Sequence, residues 1–226
     1  HRATRDADLL GFGPSDTGSM ASVFRDIASV AADDGIVFDP ASVRVGVIRK
    51  DAGYGGVRVT LNGKLANARC VAQVDVGFGD AVTPGPTDAV YPVLLDDLPA
   101  PRLRTYPVYT VVAEKLHAIV VLGMVNSRLK DYLDLVVIME REALDEPTLA
   151  LAIAATFQRR GTALPNAPPV GLSDEFALDP TRIALWQSLL KKNDIVHRPL
   201  VDVVTVLRVA LWPAVVQAGA LQLSSP

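Results

Sequence analysis

From Ser15 onward the chain spaces Met20, Val23, Phe24, Ile27 and Val30 three or four residues apart, the stripe of an amphipathic helix. Ser15 or Asp16 can cap its start, and Gly35 can stop it. The period then changes to two. The runs SVRVGVIRK, GVRVTLNGKL and ARCVAQVDVGFGD alternate apolar with polar positions, are rich in valine, and are punctuated by DAGYGG and NG. This pattern predicts antiparallel strands of one sheet. A Pro- and Asp-rich stretch, TPGPTDAVYPVLLDDLPAPRLRTYP, reads as a connector that closes the β-rich half.

After Tyr109 the apolar positions recur at about 3.6 residues, predicting helices near 110–122, 127–140, 146–158, 180–192 and 200–218. A Pro-rich loop, GTALPNAPPVGLSDEF, separates the third from the fourth. The expected fold class is therefore α+β: a mixed or antiparallel sheet with helices over residues 1–105, then a helical half over 106–226. Arg208 and Pro213 interrupt the late apolar run VVTVLRVALWPAVV, so it is expected to be a buried or amphipathic helix and no membrane segment.

With 226 residues, 50% of them hydrophobic, the chain can bury one large core or two small ones. Its 22 Lys and Arg against 25 Asp and Glu leave a net charge of -3, which argues against coating nucleic acid through bulk charge. Any such contact needs a local patch, for which Arg102 with Arg104, Arg159 with Arg160, Lys191 with Lys192, and His197 with Arg198 are candidates. The single cysteine, Cys70, forbids an internal disulfide or a Cys-rich zinc site and favours a reducing compartment, the cytoplasm. His117 has no second His or Cys at ligand spacing, so it is expected to be a partly buried structural histidine.

Two groups of side chains could carry chemistry. In DADLL, Asp6 and Asp8 alternate into an apolar strand and so share a face. Asp75 sits in the strand of VAQVDVGFGD, before a Gly-Phe-Gly turn and Asp80, and can join them if the two strands are neighbours. Converging carboxylates repel unless a divalent cation separates them, and Mg²⁺ suits a few carboxylates plus substrate phosphates. The same residues could equally end their strands in solvent. In the second group, Glu114 and Lys115 lie on one helix, while Arg128, Asp131 and Asp134 recur every three residues on the next. Lys115, Arg128 and Asp131 make a phosphate-handling set, although Arg128 with Asp131 and Lys130 with Asp134 are also ordinary surface pairs.

The order of the pieces RATRDADLL, VDVGFGD, YPVYTVVAEKLHAIVVLG and NSRLKDYLDLVVI resembles the AbiEii/AbiGii-type nucleotidyltransferase toxins of the DNA-polymerase-β-like superfamily. The resemblance covers most of residues 1 to 140. It implies that Asp6 and Asp8 are the family's metal-binding D-x-D pair, with Arg2 and Thr4 as the cofactor-side residues before it. Asp75 falls at the superfamily's third carboxylate, also on the metal. Lys115 matches the essential lysine, Asp131 the downstream essential aspartate, and Arg128 and Asp134 flanking positions. The family's Gly-Ser turn has no counterpart and would lie before His1, so residues are expected to precede the chain.

The activity that the resemblance implies is transfer of a nucleoside monophosphate from an NTP, with Mg²⁺ or Mn²⁺, to an RNA acceptor such as a tRNA 3′ end. A cognate AbiEi-like antitoxin is the implied protein partner. Asp131 would orient Lys115 or act as a base. The competing readings are a binding module without catalysis on the same fold, and a kinase-like phosphotransferase.

Overall fold

The alternating runs do form strands. The computed structural model of the chain describes residues 6–49, 55–93, 95 and 97–223. By contact it comprises two units, His1–Asp80 with Leu95–Pro99, and Ala81–Leu94 with Ala100–Pro226. The first contains β1 (Ala7–Gly11), α1 (Thr17–Ala28), β2 (Ile36–Phe38), β3 (Arg44–Arg49), β4 (Gly55–Leu65) and β5 (Ala68–Phe78). These strands form one mixed sheet in the order β1-β5-β4-β2, with β3 also paired to β4. β1 runs parallel to β5, and all other pairs are antiparallel.

The period of two sorts this sheet into two faces. Val57, Val59, Leu61 and Val76 point to one side, where they pack with Phe24 and Ala28 of α1 and with Val43. Arg58, Thr60, Asn62, Gln73 and Asp75 occupy the intervening positions, and therefore the opposite, polar face. α1 starts where the sequence suggests. The Asp16 carboxylate accepts from the Ser19 backbone N–H at 2.8 Å, satisfying one orphan donor of the first turn, and from the Ser19 hydroxyl at 2.7 Å. Its end comes sooner than Gly35, because the Ser29 hydroxyl bonds the Arg25 carbonyl at 2.8 Å and closes the last turn. Val30 consequently lies outside the helix and is 71% exposed.

The Asn62-Gly63 pair lies inside β4 and makes no turn; the chain reverses at Ala66-Asn67, with Ala66 at φ 50°. A Cβ on Gly63 would come within 2.7 Å of the Cys70 Sγ and 3.0 Å of the Phe38 ring. The glycine thus serves close strand packing, and its turn-like appearance in the sequence is incidental.

The second unit opens with a two-stranded antiparallel sheet, β6 (Thr87–Val90) with β7 (Arg102–Thr105), inside the stretch expected to be a connector. Four-residue strands hold too few alternations to stand out from the prolines around them. Helices follow: α2 (Val108–Leu122), α3 (Leu129–Arg141), α4 (Glu146–Arg159), α5 (Asp174–Ala177), α6 (Pro180–Lys192) and α7 (Leu200–Leu223). Five of the six lie where the 3.6 period puts them, and the single turn α5 is an addition. α7 runs on through Pro213, since Leu211, Ala214, Val215 and Ala218 are buried on either side of the lost N–H. Leu116, Ile119, Tyr132, Leu135, Ile153, Phe157 and Leu207 form the centre of this unit's core. The segments Val108–Val125 and Leu200–Leu223 are long and apolar enough to cross a membrane by length and composition. Each buries one face among the core residues of its unit.

Candidate active site

On the sheet, β1 and β5 are in register with Asp8 directly opposite Asp75, so the two carboxylates share the polar face. Asp6, two residues earlier, accepts a long bond from the Gln73 amide at 3.4 Å and extends the row. Parallel pairing next to β5 is what brings Asp8 to Asp75; with the strands apart they would be unrelated. Asp6 and Asp8 are exposed, whereas Asp75 is only 15% exposed.

Asp75 already has a cation. Arg58, its cross-strand partner on β4, grips it bidentately, Nε on Oδ1 at 2.7 Å and Nη2 on Oδ2 at 2.6 Å. That fork is the strong form of a carboxylate-guanidinium contact. The bond to Asp75 raises the Arg58 pKa still further, and the charges of Asp6 and Asp8 act in the same sense. Arg58 was not among the expected site residues. Its signal in the sequence is weak, a lone charge between valines in VRV, and it acquires meaning only from the β4-β5 register.

Among the described residues, no three His, Cys, Asp or Glu side chains converge as a ready metal site. The exposed pair Asp6 and Asp8 still fits Mg²⁺, which commonly takes one or two carboxylates and fills its remaining positions with water and substrate phosphates. Asp75, opposite Asp8 in the register, is held by Arg58. Arg2 and Thr4 lie outside the described residues.

The second cluster joins α2 to α3. Lys115 Nζ donates to Asp131 Oδ1 at 2.9 Å and to Asp134 Oδ2 at 2.8 Å. Arg128 Nε lies 2.8 Å from the other Asp131 oxygen. Asp131 has no exposed surface, Lys115 is 19% exposed, and Arg128 is 53% exposed. The sequence NSR sets this up: Asn126 Oδ1 accepts from the Arg128 N–H at 2.8 Å, turning the chain into α3 and placing Asp131 in its first turn, where the helix dipole favours a carboxylate. Burial pulls the Lys115 pKa down, but the charge of Asp131 and the bonds to both carboxylates outweigh it and raise the pKa overall. Lys115 is therefore a fixed ammonium and no proton acceptor. Buried Asp131 meets solvent nowhere and reaches outward only through Lys115 and Arg128, the geometry of a positioning group.

The sequence profile of the family described as nucleotidyl transferase AbiEii toxin, Type IV TA system, matches residues 1–209. The chain belongs to this family. Both clusters lie within the matched span. Two solved structures from Helicobacter pylori are also similar to it: JHP933, at 13% identity and a TM-score of 0.47, covering 99% of this chain and 80% of that one, and a protein provisionally described as a nucleotidyltransferase, at 13% identity and a TM-score of 0.48, covering 98% and 82%. No curated protein matches the chain. Membership in a type IV toxin-antitoxin family implies an antitoxin partner.

Other charged residues of this AbiEii-family chain have internal work. His117 is buried, shares a hydrogen bond between Nε2 and the Thr162 hydroxyl at 2.9 Å, and meets Arg160 Nη1 at Nδ1 at 3.2 Å. Since guanidinium is only a donor, Nδ1 accepts and Nε2 carries the hydrogen. Phe157 packs edge-on to the ring with centroids 5.0 Å apart. Burial, aided by the Arg160 charge, lowers the His117 pKa to about 4. Arg160 also lies 3.6 Å from Glu114, and Arg198 binds Glu140 at 2.7 Å. Of the proposed basic patches, Arg102, Arg104, Arg159, Lys191, Lys192 and His197 are exposed, with Arg104 3.9 Å from Asp88.

Proposed function

We propose that the chain is a nucleotidyltransferase toxin that moves a nucleoside monophosphate from an NTP onto an RNA hydroxyl, a tRNA 3′ end being the acceptor class we favour. The observation that carries this reading is the Lys115 clamp. A lysine that two carboxylates keep as a permanent, partly exposed cation is suited to the charge of a polyphosphate and unsuited to proton abstraction. Membership in the AbiEii family supports the same chemistry.

In the reaction, the acceptor oxygen forms a bond to the α-phosphorus, the bond to the β-phosphate bridge breaks, pyrophosphate leaves, and the hydroxyl proton passes to water. In the sheet unit, Asp6 and Asp8 would hold Mg²⁺, and Arg58 binds Asp75, which lies opposite Asp8. Bound Mg²⁺ supplies neutralisation of phosphate charge. In the helical unit, Lys115 and the more exposed Arg128 are the cations for phosphate oxygens, and Asp131 fixes both. The antitoxin would hold this activity in check.

The test incubates the protein with each α-labelled NTP, Mg²⁺ and total tRNA. Label is expected to enter RNA with at least one NTP, and Asp8→Ala and Lys115→Ala are each expected to lower the rate by about a hundredfold or more. If no NTP labels RNA, or Asp8→Ala performs as wild type, the reading is wrong.

A further inference from the structure

The polar face of the sheet carries a feature that the two clusters do not use. β4 and β5 pair in register so that Arg58 faces Asp75, Thr60 faces Gln73, Asn62 faces Val71, and Lys64 faces Arg69. All eight residues belong to one face. At about 3.3 Å per residue, the row from Asp75 to Arg69 covers about 20 Å. Charge along it is uneven. At the Asp75 end Arg58 is neutralised, but at the other end Lys64 and Arg69 are opposed like charges, an arrangement that destabilises a strand pair. Both are exposed, and among the described residues no ion pair is made by either.

Three shallow grooves follow this row. The first, about 550 Å³, runs beside Arg58, Arg44 and Thr60. The second, about 370 Å³, shares Arg44 and Thr60 with it and continues to Asn62. The third, about 540 Å³, shares Asn62 and ends between Lys64 and Arg69. Neighbouring grooves share lining residues, so they follow one another along the sheet as a shallow trough from Arg58 to the Lys64-Arg69 pair. Arg44, midway, donates only to the backbone carbonyls of Ala41 and Val43, so its charge also has no carboxylate partner among the described residues. Among the described residues, Asp39 is the one acidic side chain lining the grooves, and it accepts from the Ala41 N–H at 2.9 Å. Three unneutralised cations thus stand against one carboxylate on a protein of net charge -3.

We propose that this trough is the track of a single-stranded RNA acceptor, with its 3′ end toward Asp8 and Asp75 and an upstream phosphate held between Lys64 and Arg69. The inference rests on the nucleotidyltransferase reading for the direction of the strand. The cations are spaced along the trough and do not gather at one point, which matches a polyanion with repeated charges better than a single phosphate. Thr60, Asn62 and Gln73 offer hydrogen bonds along the way, and Val71, 68% exposed, gives an apolar contact for a sugar or base. The opposed Lys64 and Arg69 gain most from a bound anion, since it removes their mutual repulsion.

The test is fluorescence anisotropy of the whole chain with a labelled ten-nucleotide RNA, in EDTA and without NTP, across a KCl series. Lys64→Glu with Arg69→Glu is expected to weaken binding at least tenfold at low salt. The milder Lys64→Gln with Arg69→Gln, which adds no new charge, should flatten the slope of log K against log salt by about 0.7, the value for the one phosphate contact that the pair makes on a single strand. Arg25→Glu with Arg141→Glu, the same charge change elsewhere, should leave affinity within twofold of wild type. Unchanged affinity in both trough variants, no binding by the wild type, or better competition by a polyglutamate peptide than by RNA would overturn the proposal, the last by making this a face for an acidic protein. The two readings fail separately. RNA held through Lys64 and Arg69 without any label transfer leaves the track standing and removes the transferase. Label transfer whose KM for RNA ignores both trough variants does the reverse.

Discussion

Asp131 shows how one buried side chain can decide a site. It has no exposed surface and faces two cations, Lys115 at 2.9 Å and Arg128 at 2.8 Å, so replacing it strands positive charge that is costly to bury unpaired. Asp131→Ala is expected to cost about 3 kcal/mol of stability, and Asp134→Ala, whose carboxylate is 24% exposed, less than about 1 kcal/mol. Urea unfolding at neutral pH measures both; equal costs would mean that burial does not set the difference. His117 gives a pH dependence with a definite sign. Its folded pKa of about 4 lies below the ordinary 6.5, so the unfolded chain binds the extra proton between those values and stability falls as pH drops from 6.5 toward 4. The full loss is about 3 kcal/mol. The urea midpoints of wild type and His117→Leu at pH 7 and pH 4.5 should differ in slope, the variant losing less on acidification. The pairing of Lys115 with Asp131 was legible in the sequence because helical spacing and motif order both pointed to it. The grip of Arg58 on Asp75 was not, because it depends on a register between strands 17 residues apart in the chain.

At the scale of elements, the helices were the most legible part, since a 3.6 period sustained over three or four turns matches a helix and no strand. Their junctions were less so. Gly171 lies in the 3-10 turn Val170–Leu172, within the Pro-rich loop, yet it is a packing residue: a Cβ there would sit 2.7 Å from Ile119 Cγ2, 2.9 Å from the Ile119 carbonyl and 3.1 Å from the Tyr132 hydroxyl. That hydroxyl donates to the Gly171 carbonyl at 2.8 Å, and the Tyr132 ring stacks on Phe176 with centroids 5.1 Å apart. Gly171→Ala is therefore expected to cost about 2 kcal/mol by overpacking, read as a fall of several degrees in Tm, with the largest loss of hydrogen-exchange protection in α2 and α3. A variant as stable as wild type would show that the loop yields. The same contrast separates Asn62-Gly63, which looks like a turn and is strand, from Ala66-Asn67, which does not and turns. Local preference proposes a turn, but the contacts of a glycine with Cys70 and Phe38 decide what it does.

Over the whole molecule, each unit buries its own core, one around Val59 and the other around Leu116 and Leu207. A net charge of -3 says little about where cations stand free. Two of the arginines that the sequence offers as RNA candidates, Arg160 and Arg198, are engaged with Glu114 and Glu140, whereas Lys64, Arg69 and Arg44 on the sheet make no ion pair among the described residues. By itself the sequence determined the α+β class, the family and the alternating faces of the long strands, because these follow from periodicity and from the order of short motifs. The tertiary structure alone decided that Asp8 faces Asp75, that Arg58 occupies Asp75, and that Lys64 and Arg69 oppose each other at the end of a trough. Each of these is a contact between residues on different strands, set by register, and no local pattern encodes a register before the sheet has formed.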